Sequence, residues 1–331
     1  MTSRAILFLQ LGGPETLEDV PGFLYRLFSD PDVIRVRPAL LRKAIAAAIA
    51  LARKKASREL YRAIGGGSPI RRLTDQQADG VERRLAEGGR AVAVRTAMTC
   101  SAPFVEDVVR ELARSGVDRF LAVPLYPQYS LTTTKGALER SREAVRRHAP
   151  GATLVEMCSW PTHPLFVKAH ADAIAAEMAK FPDPRPEAVH LLFSAHSIPK
   201  KLVTREGDPY QREVEASVAA ISERLGGRSP RSLAYQSKLG PVEWLGPQTL
   251  DVLGELGRAG TSQVLVIPIA FVTDHVETLY EVDQLFGDAA RAAGIAHFRR
   301  TPGLNDDPTF LSALEASVLS QPAFWSDAPA A

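Results

Sequence analysis

Cysteine is almost missing from this sequence: Cys100 and Cys158 are the only two in 331 residues. A pair of thiols cannot staple a disulfide scaffold, and by itself cannot supply a four-cysteine zinc or iron–sulfur site. Long apolar runs are missing as well. Nowhere do about 18 apolar residues follow one another, so nothing reads as a membrane span. The apolar stretch that opens at Ala5 stops at Gly12-Gly13-Pro14. It is too short for a secretory leader and lacks a small-residue cleavage site, so the expected compartment is the cytoplasm. No charge sign dominates, since 40 Lys and Arg stand against 38 Asp and Glu for a formal +2. With 45% hydrophobic residues the chain is not a disordered one, and its length suits one large domain or two ordinary ones.

The common site motifs are absent too. No G-x-G-x-x-G follows the first apolar run, because Leu11-Gly12-Gly13-Pro14-Glu15 has the wrong spacing and a proline. No Walker lysine follows Gly65-Gly66-Gly67-Ser68-Pro69. That run has two readings, a tight loop or a backbone cradle for an anion. There is no Gly-x-Ser-x-Gly elbow, so nucleophilic catalysis is not signalled.

What is present is unevenly spread. Between Arg35 and Arg72 lie eleven basic residues and one acidic one, Glu59, which leaves 29 basic and 37 acidic residues elsewhere. This block has no interleaved aromatics apart from Tyr61, and no zinc-finger or RNP-type motif appears, so nucleic acid is not an expected partner. Within it, Leu41, Ile45, Ala48, Ile49 and Ala52 form an apolar stripe at helical spacing, flanked by Arg42, Lys43 and Arg53-Lys54-Lys55.

Short apolar runs alternate with helical stretches along the chain. The runs are Ala5–Leu11, Ala91–Thr96, Phe120–Tyr126, Thr153–Met157, Val189–Phe193, Leu233–Tyr235 and Val264–Val272; Phe104–Arg114 and Val214–Leu225 have helical spacing. This predicts an α/β fold with mainly parallel sheets covered on both faces. An internal echo sharpens it. Glu111–Gly116 leading into Phe120–Leu125 recurs 144 residues later as Glu255–Gly260 leading into Val264–Ile269, and Pro103 and Asp107 match Pro247 and Asp251. Two halves of similar topology follow, with ligands expected in a cleft at the carboxyl ends of strands.

Two of the seven histidines sit at strand ends. His196 falls where Phe193-Ser194-Ala195 breaks into Ser197-Ile198-Pro199. Phe271-Val272-Thr273-Asp274-His275 reads as a strand followed by a helix cap, with Thr273 or Asp274 at the N-cap. On that helix Asp274, Glu277 and Glu281 fall at i, i+3 and i+7, on one face. Spacing leaves two readings open: a solvated acidic face beside a hydrogen-bonded histidine, or a carboxylate row that passes on a hard cation or protons.

These segments also carry a family resemblance. Ser194-Ala195-His196-Ser197-Ile198-Pro199, Gly207-Asp208-Pro209-Tyr210, Tyr235-Gln236-Ser237-Lys238, Trp244-Leu245-Gly246-Pro247-Gln248-Thr249 and Phe271–Glu281 closely resemble ferrochelatases. So do Leu11–Glu15, Tyr61–Ile70, Tyr126-Pro127-Gln128-Tyr129-Ser130 and Trp160-Pro161-Thr162-His163, in order from about residue 5 to residue 315. The resemblance implies two Rossmann-like halves with the active site in the cleft between them. The halves are expected at 1–150, with a porphyrin lip at about 35–72, and at 151–300, followed by a C-terminal extension at 301–331.

The implied activity is a lyase reaction of haem biosynthesis, insertion of Fe²⁺ into protoporphyrin IX with loss of two pyrrole protons. The alternatives are a coproporphyrin III ferrochelatase, a chelatase for another metal and tetrapyrrole, or a non-catalytic tetrapyrrole or metal carrier. By resemblance His196 and Glu277 are catalytic, with the histidine on one face of the ring and the carboxylates on the other. Asp274, His275 and Glu281 join them as metal-handling residues, on a helix that in the family carries a π-bulge. Leu11, Tyr61, Ile64, Trp160 and Trp244 would contact the porphyrin, and Arg53 and Ser68 its propionates. Leu11 favours protoporphyrin IX, since relatives acting on coproporphyrin usually carry tyrosine there. Met98-Thr99-Cys100-Ser101-Ala102-Pro103 lacks the basic residue that many relatives place before the proline, and the C-terminus lacks the cysteines of cluster-bearing relatives. No tightly bound cofactor and no iron–sulfur cluster are expected, and iron is a substrate. The basic stripe has two readings, an ordinary surface helix or a lip that lies on the inner face of an anionic membrane. A neighbouring haem-pathway enzyme is a further implied partner.

Overall fold

A computed structural model describes residues 3–238 and 240–326. The chain divides into two compact units. The first holds the chain up to Tyr126, Ser130–Ser159 and the chain from Leu314 on; the second holds Pro127–Tyr129 and Trp160–Ala313.

In the first unit the order is β1 (Arg4–Gln10), α1 (Val20–Ser29), α2 (Ala39–Ala63), α3 (Ile70–Glu87), β2 (Ala93–Met98), α4 (Val105–Arg114), β3 (Arg119–Pro124), α5 (Thr134–His148) and β4 (Thr153–Glu156). The four strands are parallel, in the order β2-β1-β3-β4. Ala5 to Leu9 of β1 and Phe120 to Val123 of β3 expose no surface. Central parallel strands are covered on both faces, which is why these two read as unbroken apolar runs. Helix α4 sets Val105, Val108, Val109 and Leu112 on one face, against Leu7, Leu9, Phe120 and Ala122.

The second unit runs α6 (Pro164–Met178), β5 (His190–His196), α7 (Lys200–Glu206), α8 (Tyr210–Arg224), β6 (Arg231–Gln236), α9 (Thr249–Arg258) and β7 (Gln263–Pro268). A ten-residue π-helix (Glu277–Phe286), α10 (Gly287–Ala292), β8 (His297–Arg300) and α11 (Pro308–Leu319) follow. Its sheet is again parallel, in the order β6-β5-β7-β8. The two halves of the sequence echo are α4–β3 and α9–β7, whose bounds differ by 144 at every end. Both helices lead into a glycine at positive φ, Gly116 (84°) and Gly260 (78°), where a Cβ is disfavoured.

The division differs from the boundaries expected at 150 and 301. Strand β4 pairs with β3 from Arg119↔Thr153 to Ala122↔Glu156, so it completes the first sheet instead of opening the second. The C-terminal segment is shared: it lies with the second unit up to Ala313 and with the first from Leu314. A last short helix, α12 (Pro322–Trp325), is held in the first unit by arginines. Arg4 donates to the carbonyls of Phe324 and Trp325, and Arg119 to that of Ala323 at 2.6 Å. Strand β7 stops at Pro268 and does not reach Val272, because Phe271 N–H turns back onto the Pro268 carbonyl.

In each sheet the chain leaves its first strand to one side and comes back on the other. The crevice beyond the carboxyl ends at that switch is where open α/β sheets bind ligands. In the second unit it lies where β5 ends in His196 and β7 leads toward the π-helix.

Candidate active site

Parallel register places His196 beside Gln236, the last residue of β6. The next residue, Ser237, therefore reaches the same crevice, and its φ of 66° turns the chain there. From the other side of β5 comes the π-helix with Glu277 in its first turn. His196 Nδ1 lies 2.8 Å from Glu277 Oε2. Since a carboxylate only accepts, Nδ1 is the donor and the basic lone pair of the neutral ring falls on Nε2. Ser237 joins a second carboxylate to the pair. Its hydroxyl lies 3.2 Å from Glu277 Oε2 and 2.6 Å from Glu281 Oε2, and its N–H donates to Glu281 Oε1 at 3.0 Å. Gln236 Nε2 donates to Glu281 Oε2 at 3.2 Å. Behind the histidine, Tyr210 at the start of α8 donates its hydroxyl to the His196 carbonyl at 2.9 Å.

Burial by itself would depress the His196 imidazole, but the charge and hydrogen bond of Glu277 outweigh it and leave the histidine above its ordinary value. Burial would likewise raise Glu277; the His196 charge and hydrogen bond reverse this and hold it below the usual carboxylate range. Glu281 goes the other way, raised by burial and by the neighbouring Glu277 charge. Two adjacent carboxyl groups are thereby shifted in opposite directions. The side chains of His196 and Glu277 remain 37% and 27% exposed, so the pair is open to a ligand.

This geometry changes parts of the sequence expectation. His196 and Glu277, expected on opposite faces of the ring, are hydrogen-bonded to each other at 2.8 Å. Asp274 does not share the row of Glu277 and Glu281. Its carboxylate takes Thr278 Oγ1, Arg300 Nη1, Gly303 N–H and Asn305 Nδ2 within 3.2 Å, and the Arg300 charge holds it low against the effect of burial. The helix starts at Val276, with no side-chain hydrogen bond at that cap. His275 turns its Nδ1 to the Thr273 carbonyl and its ring edge to Phe271. Among the described residues, no three His, Cys, Asp or Glu side chains gather in a geometry that could hold a metal ion.

The remaining candidates divide between the units. In the first, Ser68 is buried, and its N–H donates to the Pro14 carbonyl at 2.7 Å, joining the loop after Leu11 to the loop after α2. That close approach explains the glycines: a Cβ on Gly13 would meet Ser68 Cβ at 2.6 Å, and one on Gly67 would meet the Glu15 carbonyl at 1.9 Å. Tyr61 and Ile64 sit at the end of α2, Tyr61 buried and Ile64 half-buried. Arg53 is exposed, its guanidinium over the Phe28 ring at 5.9 Å. In the second unit, Trp160 is buried against Phe166 and Phe310. Trp244 bridges to Pro199, just past His196, and its buried indole N–H has no partner among the described residues. Sequence reasoning gave no role to Gln236, Ser237, Tyr210 or Arg300. The available signal was the polar pair Gln236-Ser237 closing an apolar strand.

Comparison with known proteins gives the family. A family model described as ferrochelatase matches residues 3–321. A ferrochelatase from Synechococcus sp. (strain JA-2-3B'a(2-13)) is 45% identical over 96% of this chain and 92% of its own length. Another, from Gloeothece citriformis, is 42% identical over 95% of this chain and 81% of its own length. Among solved structures, SirB from Bacillus subtilis with Fe³⁺ superposes at a TM-score of 0.57 with 12% identity, covering 96% of this chain and 95% of that one. A cobalt complex of a sirohydrochlorin chelatase from Bacillus subtilis subspecies spizizenii gives 0.52, also at 12% identity, covering 98% and 99%. At such identity the structures speak for the fold, a chelatase-type pair of α/β halves. The near full-length match at up to 45% identity speaks for more: this chain belongs to the ferrochelatase family.

Proposed function

We propose that this enzyme, whose family inserts Fe²⁺ into a porphyrin to form haem, takes protoporphyrin IX, with His196 as the base. The observation that carries this reading is the His196–Glu277 hydrogen bond, backed by Glu281 through Ser237. Two pyrrole protons must leave as the metal enters, and a base at the ring face removes them. His196 accepts a proton at Nε2, and the Glu277 carboxylate stabilises the imidazolium that forms. The second proton is assigned to Glu281, whose hold on a proton is raised by burial and by Glu277 and which the Ser237 hydroxyl couples to the His196–Glu277 pair. Fe²⁺ is the substrate, and Glu277 and the Nε2 side of His196 are the groups it meets. By family resemblance Leu11, Tyr61, Ile64, Trp160 and Trp244 are the proposed ring contacts and Arg53 and Ser68 the proposed propionate contacts. With only Cys100 and Cys158 in the sequence, no four-cysteine iron–sulfur cluster forms part of this proposal.

We also propose a cytoplasmic enzyme that rests on an anionic membrane through α2. No described helix is long and apolar enough to cross a membrane. Helix α2 instead exposes Leu40 (81%) and Leu41 (50%) just before Arg42-Lys43, and Leu51 (64%) just before Arg53-Lys54-Lys55. Arg42 is spent on the carbonyls of Ser29 and Val36, which leaves Lys43, Lys54 and Lys55 for lipid phosphate.

One absorbance assay tests the reading, with Fe²⁺ or Zn²⁺ against protoporphyrin IX and coproporphyrin III. Wild type should metallate protoporphyrin IX preferentially, and His196→Ala should fold normally yet lose almost all turnover. Preference for coproporphyrin III would overturn the substrate assignment. Porphyrin binding without metallation would favour a carrier, and near-normal turnover in His196→Ala would remove the histidine from its role.

A further inference from the structure

The π-helix is an expensive way to present two carboxylates. Hydrogen bonding of the i→i+5 type is rare, and where found it spans mostly a single turn. Here it extends over ten residues, so the surroundings must over-determine it. One side of that constraint is already in view, Ser237 binding Glu277 and Glu281. The other side is Arg300.

Arg300 ends β8, and its side chain is 9% exposed. It holds the acidic segment at two points. Nη1 donates to Asp274 Oδ1 at 2.9 Å, just before the helix. Nε and Nη2 make a two-pronged contact with Asp283 inside the helix, at 2.7 and 2.9 Å. Residues two apart on a helix face opposite ways, so Asp283 points away from the side on which Glu281 meets Ser237. The helix is therefore fixed from both sides, and the two points held by Arg300 bracket both carboxylates in sequence. The loop after β8 tightens the first point. Asn305 accepts the Asp274 N–H at 3.0 Å and donates to its Oδ2 at 3.0 Å. At Gly303, a Cβ would come within 2.9 Å of the Asp274 nitrogen.

We propose that Arg300 is a positioning residue: by clamping Asp274 and Asp283 it sets the rotation of the π-helix at which Glu277 reaches His196 and Glu281 reaches Ser237. Asp274 is then an anchor of this clamp and not a carrier of metal. The catalytic part of this inference rests on the proposed role of His196 and Glu277; the structural part does not.

The neighbouring residue supplies the control. Arg299 lies on the same strand and pairs with Glu177 of α6 at 2.8 Å, away from the π-helix. Amide hydrogen exchange across residues 277–286 and steady-state kinetics are to be compared in wild type, Arg300→Met, Arg300→Lys, Asp283→Asn and Arg299→Met. The expected result is exchange in 277–286 at least ten-fold faster in Arg300→Met and Asp283→Asn, and unchanged in Arg299→Met. kcat should fall by about ten-fold or more in the same two variants with KM for porphyrin within two-fold, since the clamp sets the position of the acceptors and not the binding surface. Arg300→Lys, which keeps the charge and loses the fork, should lie between. If Arg300→Met fails to fold, Asp283→Asn and Arg300→Lys carry the test. Normal exchange and kcat in folded Arg300 or Asp283 variants would overturn the proposal, as would an equal loss in Arg299→Met. Faster exchange together with an inactive wild type would instead indict the proposed reaction and leave the clamp standing.

Discussion

His170 on α6 is a buried base with nothing to hold its charge, and the stability of the second unit should depend on pH because of it. It is 2% exposed, and neither ring nitrogen has a hydrogen-bond partner among the described residues. Its ring meets Phe166 edge-on at 4.7 Å. Burial pulls its pKa from 6.5 down to about 3. A folded pKa below the unfolded one means that the unfolded chain binds the proton more tightly. The folded state is then favoured in full above pH 6.5, and the advantage drains away as pH falls toward 3. Each unit is about 1.4 kcal/mol, so the loss is about 2 kcal/mol by pH 5 and approaches about 5 kcal/mol if the site stays closed throughout. His170→Leu removes the titration at similar volume, and also the cost of two buried nitrogens without partners. Urea unfolding, followed by the fluorescence of the three tryptophans, of which Trp160 packs on Phe166 at 5.2 Å, should show the variant at least as stable as wild type at about pH 7.5. Its advantage should grow by about 2 kcal/mol at about pH 5, the other titrating groups being common to both proteins. A gap that does not change with pH would refute the reasoning.

Three further outcomes follow. Ser237→Ala takes the hydroxyl from between Glu277 and Glu281; a hydrogen bond to a charged group is worth about 1.5–3 kcal/mol, so kcat should fall roughly ten-fold or more with little change in melting temperature. Unchanged metal insertion would exclude the serine from the proton path. Lys43, Lys54 and Lys55 changed together to glutamate should weaken sedimentation with anionic vesicles, each lysine contributing about 1 kcal/mol at low salt; equal binding by wild type and variant, or to neutral vesicles, would count against the lip. Gly303→Ala should destabilise by about 1–3 kcal/mol in thermal melts, since its Cβ meets backbone 2.9 Å away and not a side chain that can turn aside. A melting curve identical to wild type would show that the loop has slack there.

Much of the fold was legible because its central strands announce themselves. Strands buried on both faces need an apolar centre, and Ala5–Leu9 of β1, Phe120–Val123 of β3, Leu191–Phe193 of β5 and Val264–Ile267 of β7 supply one. The echo was legible for the same reason, since α4–β3 and α9–β7 repeat one packing problem with one solution. One edge strand, β8, escapes this logic. His297-Phe298-Arg299-Arg300 forms β8 with one side toward solvent, and its two arginines spend their charge on Glu177 and on Asp274 and Asp283. A pattern search sees polar residues there and no strand. The boundary at 150 missed β4 in a similar way, for pairing with β3 is a tertiary fact that Thr153-Leu154-Val155-Glu156 does not advertise.

The site was legible in its residue types but not in how they are paired. His196 and Glu277 stand 81 positions apart, and only the parallel order β6-β5-β7 brings β5, the turn after β6 and the helix after β7 to one crevice. Helical periodicity then misled about Asp274, because an α-helical count of i, i+3 and i+7 assumes the helix has begun. It begins at Val276, and its turns are then wider than those of an α-helix. Wider turns keep Glu277 and Glu281, four residues apart, within reach of the single hydroxyl of Ser237, while Asp274 is left behind for Arg300. Three acidic residues that look equivalent in the sequence thus do three jobs. Glu277 is held low beside the histidine, Glu281 is raised by burial and by its neighbour's charge, and Asp274 is held low by an arginine.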